Sequence, residues 1–240
     1  MGDFDTNQKI IDFRSNKGLD PSKLQIQDRD EILHEVMNFL QFTDEEIAFA
    51  WYMAREMRSI TFPHCMDVAI LNYNIGKRFG HSEEELKLLF KDGLAHDIGK
   101  SVISDELLIK DPITNAEYKI FQQHVLNPRK YLLDSPFAEN IETATKHHEK
   151  LDGSGYLSGL SRNEIPWNVR ITTISDCYNA AVVFRYYNAH KRKTPEEMIE
   201  DFKCDWNWEK YDQDYVDSLY EELRETGIII PKKKIITYSA

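Results

Sequence analysis

LKLLFKDGLAHDIGK, residues 86–100, decides how the chain folds. Leu86, Leu89, Phe90, Gly93 and Leu94 recur at three- and four-residue intervals, which gathers them on one stripe of an α-helix. Asp97 continues that stripe three residues beyond Leu94, and His96 lies on its flank. An apolar face that ends in an imidazole and a carboxylate delivers both to the interior, where polar groups without partners cost free energy. The spacing predicts a helix over 83–98 whose last turn carries chemistry.

The same arrangement recurs on both sides. Upstream, Val68, Leu71 and Ile75 form a stripe that His64 extends backwards by one turn. Downstream, Ile120 and Phe121 precede His124 by four and three residues, while Phe137, Ile141 and Ala144 lead to His148, with His147 three residues after Ala144. Farther on, Val169, Ala180 and Val183 share a face with Asp176. Any one such histidine is ordinarily a hydrogen-bonded core residue. Five imidazoles and two carboxylates aimed at one interior are different, because unpaired buried charge is heavily penalised and divalent cations remove the penalty. The set suits iron, manganese, zinc, cobalt or nickel and is too rich in nitrogen for a calcium or magnesium cage.

Helical periodicity continues along most of the chain, with no repeats or low-complexity tracts. We read an all-α bundle with helices at 27–40, 44–58, 62–79, 83–98, 114–126, 137–148, 167–189, 195–202 and 212–226. Three parts are expected: an N-terminal helical or connector segment of unassigned role at 1–58, a metal-holding domain at 59–226, and a tail at 227–240. A formal net charge of −11 argues against a general binder of DNA or RNA, whose phosphate backbones select basic surfaces. Three scattered cysteines make neither a disulfide framework nor a cysteine zinc site, and no apolar run is long enough to span a bilayer. A cytoplasmic protein without membrane partners is expected.

HDIGK at 96–100 and HHEKLDGSGYL at 147–157 resemble the HD-GYP family of HD-domain phosphohydrolases. The likeness runs from His64 in HCMDVA through LLIKDPIT and QQHVLNP to DCYNAAVVFRYY at 176–187, with a weak echo at Asp212. It implies a helical bundle around two metals, iron or manganese first, and hydrolysis of a cyclic dinucleotide, cyclic di-GMP above all. Residue by residue, it implies that His64, His96, Asp97 and Asp176 hold one ion, with Asp97 bridging, and that His124, His147 and His148 hold the other. Three-metal members carry an acid four positions before the first histidine; here that position is Ile60, so two ions are implied.

A hydroxide bridging the two ions would be the nucleophile. Lys100 would clamp phosphate or protonate the leaving oxygen, and Arg185, Tyr187, Asn179 and Tyr156 would contact substrate. The Gly153–Leu157 loop would form the lip of the site and a docking point for a cyclase domain or other protein; a homodimer is also compatible. Leu157 replaces the family's proline, Asn179 an aspartate, and FRYYN at 184–188 a more basic DRPYR or DRPYK, so Asn188 lacks a cation. Two alternatives therefore stay open beside the phosphodiesterase: a nucleotide-binding or partner-docking module with little turnover, and an HD phosphohydrolase for another nucleotide.

Overall fold

The structure, a computed structural model, describes residues 26–183 and 192–229. Its helices are α1 (Ile26–Phe39), α2 (Asp44–Phe79), α3 (Glu83–Ala95), α4 (Asp105–Leu108), α5 (Asn115–Gln122), α6 (Pro128–Leu132), α7 (Ile141–Lys146), α8 (Trp167–Val182), α9 (Pro195–Lys203) and α10 (Gln213–Glu225). Among the described residues there is no strand, only an isolated bridge between Asp152 and Ser161. The all-α reading holds. No described helix is long and apolar enough to cross a membrane.

Four helix starts follow from one local pattern. At Thr43, Ser82, Thr114 and Thr194 the hydroxyl accepts from the amide three residues on, and the glutamate there accepts from the cap's own amide. This reciprocal capping box satisfies two donors that a helix start otherwise leaves bare.

The helices expected at 44–58 and 62–79 are one helix, with Pro63 inside it. Proline lacks the amide that would bond the carbonyl four residues back, which is why the sequence reads as a break there. Burial overrides the defect. Met53, Met57, Phe62, Cys65, Met66 and Ala69 all lie in the core. Against this spine pack α3 and α8, and Gly93 lets α3 approach so closely that a Cβ there would lie 2.3 Å from Ala69 Cα.

Other boundaries shift for local reasons. The helix expected to 98 ends at Ala95, followed by a 3-10 turn over Ile98–Val102. The expected 114–126 helix tightens into a 3-10 turn at Gln123–Leu126, and 137–148 resolves into a 3-10 turn at Ala138–Asn140 followed by α7. The 167–189 helix ends at Val182, where Val183 turns extended. Residues 184–191, which include Arg185, Tyr187 and Asn188, lie outside the described residues, as do 1–25 and 230–240.

A buried polar strut ties α3 to the segment that carries His147 and His148. Asp92, fully buried, accepts from Asn140 Nδ2 at 2.9 Å and Asn168 Nδ2 at 2.8 Å. Asn168 also donates to Thr143 Oγ1 at 3.0 Å. Beside it, buried Lys91 bonds Glu46, Glu139 and the carbonyl of Pro136. Such paired charges fix the relative placement of three chain segments, because breaking any pair strands a charge in the core.

Candidate metal centre

His64 comes from the middle of α2, His96 and Asp97 from the end of α3, and His124 from the 3-10 turn after α5. His147 and His148 follow α7, and Asp176 lies on α8. Each sits where a helix ends or faces the core, so side chains distant in sequence meet in one place. His64, His96, Asp97, His124, His147 and Asp176 are all buried, and His148 is partly exposed. Three sets have their donor atoms within 4.8 Å of one another: Asp97 with His124, His147 and His148; His64 with His96 and Asp97; and His96 with His147 and Asp176. Asp97 belongs to two of the sets.

The hydrogen bonds turn the imidazoles toward one another in a way that calls for a proton or a cation between them. His96 Nδ1 donates to Gly93 O at 2.8 Å, His124 Nδ1 to Phe121 O at 2.6 Å, and His147 Nδ1 to Thr143 O at 3.3 Å. With Nδ1 protonated, a neutral ring presents a lone pair at Nε2. Yet the Nε2 atoms of His124 and His147 face each other at 3.3 Å, and both lie close to Asp97 Oδ1, at 3.5 and 3.6 Å. That oxygen is buried and receives no hydrogen bond. Lone pairs converging on an orphaned carboxylate oxygen fit a divalent ion, and backbone carbonyls behind the rings are the usual device for orienting metal-binding histidines.

On the other side, His64 Nδ1 donates to Asn179 Oδ1 at 2.7 Å, and its Nε2 lies 2.9 Å from Asp176 Oδ1 and 3.3 Å from His96 Nε2. Two acceptors again face one another. The donor set therefore fits divalent metal. The arrangement brings all seven residues expected from sequence into three overlapping groups of donor atoms.

Electrostatics agree with the geometry. Burial pushes His124 down to about 3 and also lowers His147 and His148, so these rings are neutral near pH 7, as metal ligation requires. Burial alone would raise Asp97 and Asp176, but Lys100 and His96 hold the first well below the usual carboxylate range, and His64 does the same for the second. Burial would also lower His96, yet the adjacent Asp97 and Cys65 raise it well above an ordinary histidine. The two carboxylates demand positive charge here, which a proton on His96 or a bound cation can supply.

Lys100 was expected to project from a continuing helix. It instead stands in the 3-10 turn, and its Nζ reaches Asp97 Oδ2 at 2.5 Å. Gly99 is needed for this turn, since a Cβ there would lie 1.9 Å from the carbonyl oxygen of His124. Tyr156 stacks on the His148 ring with centroids 4.7 Å apart, at the lip of the cavity. Its loop is held by buried Glu149, whose carboxylate accepts from the amides of Ser158 at 2.7 Å and Leu160 at 3.0 Å. Gly155 has no room for a side chain, because a Cβ would come within 2.4 Å of Glu149 Cα.

Two cavities open onto the cluster. One of about 270 Å³ is bordered by Thr61, His64, Asp97 and Lys100, and the other, of about 490 Å³, by His124, His148, Lys150, Tyr156 and Tyr211. Both are bordered by Tyr118 and Phe121. Asn179, expected among the substrate contacts, lies against the back of His64 and also donates to Asp67 Oδ2 at 3.3 Å. Sequence reasoning missed the strut at Asp92, the carbonyls behind the rings, and Thr173, whose hydroxyl donates to the carbonyl of His147 at 2.8 Å. A polar residue within an apolar helical stripe was the available signal for Asp92 and Thr173.

The family profile described as HD domain matches residues 45–214. Among curated relatives, 3′3′-cGAMP-specific phosphodiesterase 1 of Vibrio cholerae serotype O1 is 36% identical over 150 residues, 60% of this chain and 35% of that protein. Cyclic di-GMP phosphodiesterase of Thermotoga maritima is 33% identical over 178 residues, 72% of this chain and 44% of that protein. The chain thus matches less than half the length of either relative. Among solved structures, Bd1817, an HDG"Y"P protein from Bdellovibrio bacteriovorus, superposes with a TM-score of 0.60 at 15% identity, covering 90% of this chain and 77% of that one. A cyclic GMP-AMP specific phosphodiesterase of V. cholerae gives 0.52 at 15% identity over 76% and 51%. At such identities the superpositions speak for the fold.

Proposed function

Since the chain belongs to the HD-domain family, in its HD-GYP type, we propose that it is a metal-dependent phosphodiesterase that opens a cyclic dinucleotide at the cluster around Asp97. Cyclic di-GMP is the first candidate substrate and 3′3′-cGAMP the second, the relatives being named for both. The observation that carries the reading is the convergence of imidazole lone pairs on the buried, unbonded Oδ1 of Asp97. The domain begins, on this reading, at the Thr43 cap rather than at 59, because α2 is unbroken and the family match starts at 45.

His64, His96, Asp97 and Asp176 would hold one ion, and His124, His147 and His148 the other, with Asp97 shared. When bound, two divalent cations acidify water and neutralise the charge that grows on a phosphoryl oxygen. The chain's own groups do the rest. Lys100, which borders the cleft and pairs with Asp97, would hold the phosphate against the cluster and give a proton to the departing ribose oxygen. Water supplies the oxygen that replaces that bond, so each turnover yields one linear dinucleotide. Tyr156, stacked on His148, closes one wall against bulk solvent.

The test is direct. Protein loaded in turn with iron(II), manganese and zinc is incubated with cyclic di-GMP and 3′3′-cGAMP, and products are separated by chromatography while metal content is measured. Metal-dependent linearisation, with close to two ions per chain, is expected. Binding without cleavage under every metal would replace this reading with that of a nucleotide-binding module.

A further inference from the structure

The larger cavity carries a second cationic feature that the metal centre does not use. Lys150 and Lys210 both line it, in a protein of net charge −11. Most described lysines near acids are paired: Lys87 and Lys91 with Glu46, Lys146 with Glu142, Lys203 with Asp217. Neither Lys150 nor Lys210 forms an ion pair among the described residues. Lys150 Nζ lies 3.3 Å from Cys177 Sγ and 4.4 Å from the centre of the Tyr211 ring, and Lys210 Nζ bonds Asn207 Oδ1 at 3.1 Å.

The two lysines are held together by backbone, since the amide of Leu151 donates to the carbonyl of Lys210 at 3.1 Å. Tyr211 is fixed in turn by an edge contact with buried Phe202, centroids 4.7 Å apart. Asp152, the nearest acid in sequence, is engaged by Ser154, whose amide and hydroxyl lie 2.9 and 2.6 Å from Oδ1. Two ammonium groups thus border one cavity, Lys150 over the Tyr211 ring, and the one acid that feels Lys210, Asp152, is held by Ser154 and makes no ion pair with it. Such a site is complementary to an anion, and it shares its cavity with His124 and His148.

We propose that Lys150 and Lys210, with Tyr211 as floor, form a distal phosphate subsite that takes the second phosphate of a dinucleotide whose scissile phosphate lies at the Asp97 cluster. This rests on the phosphodiesterase reading and adds the element that selects two-phosphate substrates. A cavity of about 490 Å³ is in the range that accommodates ligands of this size. A mononucleotide or simple diester reaches only the metal end and forgoes the distal contacts.

Binding of cyclic di-GMP and of linear pGpG to the full chain is measured by calorimetry for the wild type, Lys150→Met, Lys210→Met and Lys203→Met. Each of the first two substitutions weakens dinucleotide binding about tenfold, the scale of one charge-assisted contact, and Lys203→Met does not. Lys150→Arg and Lys210→Arg, which keep the charge, stay within about threefold, and this separates loss of the contact from loss of the fold. As a second readout, kcat/KM for cyclic di-GMP falls about tenfold relative to that for the one-phosphate ester bis(p-nitrophenyl) phosphate. Wild-type affinity for both dinucleotides in either Met variant overturns the subsite. A wild type that binds pGpG but not cyclic di-GMP, with both Met variants weakened on pGpG, keeps the subsite and removes the cyclic substrate. Failure of the wild type to bind either removes both.

Discussion

Asn179 Oδ1 lies 2.7 Å from Nδ1 of His64, on the side of the ring turned away from Asp176 and His96. The amide oxygen can only accept, so it requires the proton on Nδ1 and leaves Nε2 as the atom that would ligate an ion. Residues at this position behind a ligating histidine govern metal affinity even though they touch no metal. Asn179→Ala is expected to weaken metal binding about 10- to 100-fold, as read by competition with a chelator, while the helical signal in circular dichroism is unchanged. Unaltered affinity would show that His64 needs no such partner.

Asp97 belongs to two of the three donor groups, as do His96 and His147, and in the proposed function it is the ligand that both ions would share. Asp97→Asn keeps the size but removes the charge and turns one oxygen into a donor facing imidazole nitrogens. Metal content should fall below one ion per chain by elemental analysis, and hydrolysis by about 10²- to 10³-fold. Retention of two ions would rule out its shared position.

Gly93 and Gly99 make separable predictions. A methyl at 93 collides with Ala69 backbone where α2 and α3 cross, and one at 99 collides with the carbonyl of His124. Gly93→Ala should lower the global unfolding free energy by about 1–3 kcal/mol in urea titration, the usual cost of overpacking a tight core. Gly99→Ala should instead act first on the metal site, because the group displaced carries a ligand. Equal effects on stability and on metal content in both variants would contradict this division.

Asp92 sets a pH dependence. Burial raises its carboxyl to about 6, against the amides of Asn140 and Asn168 and the hydroxyl of Thr143, which lower it; Glu139 adds a further rise. In the folded chain the group therefore binds a proton between its ordinary value of 3.8 and about 6, where the unfolded chain does not. Its protonation stabilises the fold below that window, and the contribution is lost as pH rises through about 6. The wild type should thus lose stability relative to Asp92→Asn by on the order of 2–3 kcal/mol between pH 4 and pH 7. Denaturant titrations of both proteins at those two pH values check it; a constant difference would mean that Asp92 is ionised throughout.

Much of this arrangement could be read before any coordinates. The stripe from Leu86 to Leu94, ending in His96 and Asp97, shows that helix packing carries the ligands inward, and four Thr/Ser-x-x-Glu boxes mark helix starts. Pro63 was misleading because a local rule was outweighed by burial along the whole of α2, which no short window contains. The bond of Asn179 to His64 could not be read in advance, because sequence records residue type and spacing, not which side of an imidazole a neighbour occupies. Lys150 and Lys210 are sixty residues apart in the chain, and the Leu151 amide on the Lys210 carbonyl, with Lys150 over the Tyr211 ring, brings their segments together.

The proline within α2 has a mechanical meaning. At 1.5 Å per residue, the stretch from the Thr43 cap to His64 is a rod roughly 30 Å long. One residue before the ligand, that rod lacks a rung of its ladder. The rod is least stiff at that turn, so the burial of Met57, Phe62, Cys65 and Met66 around it is what keeps His64 aimed at its neighbours.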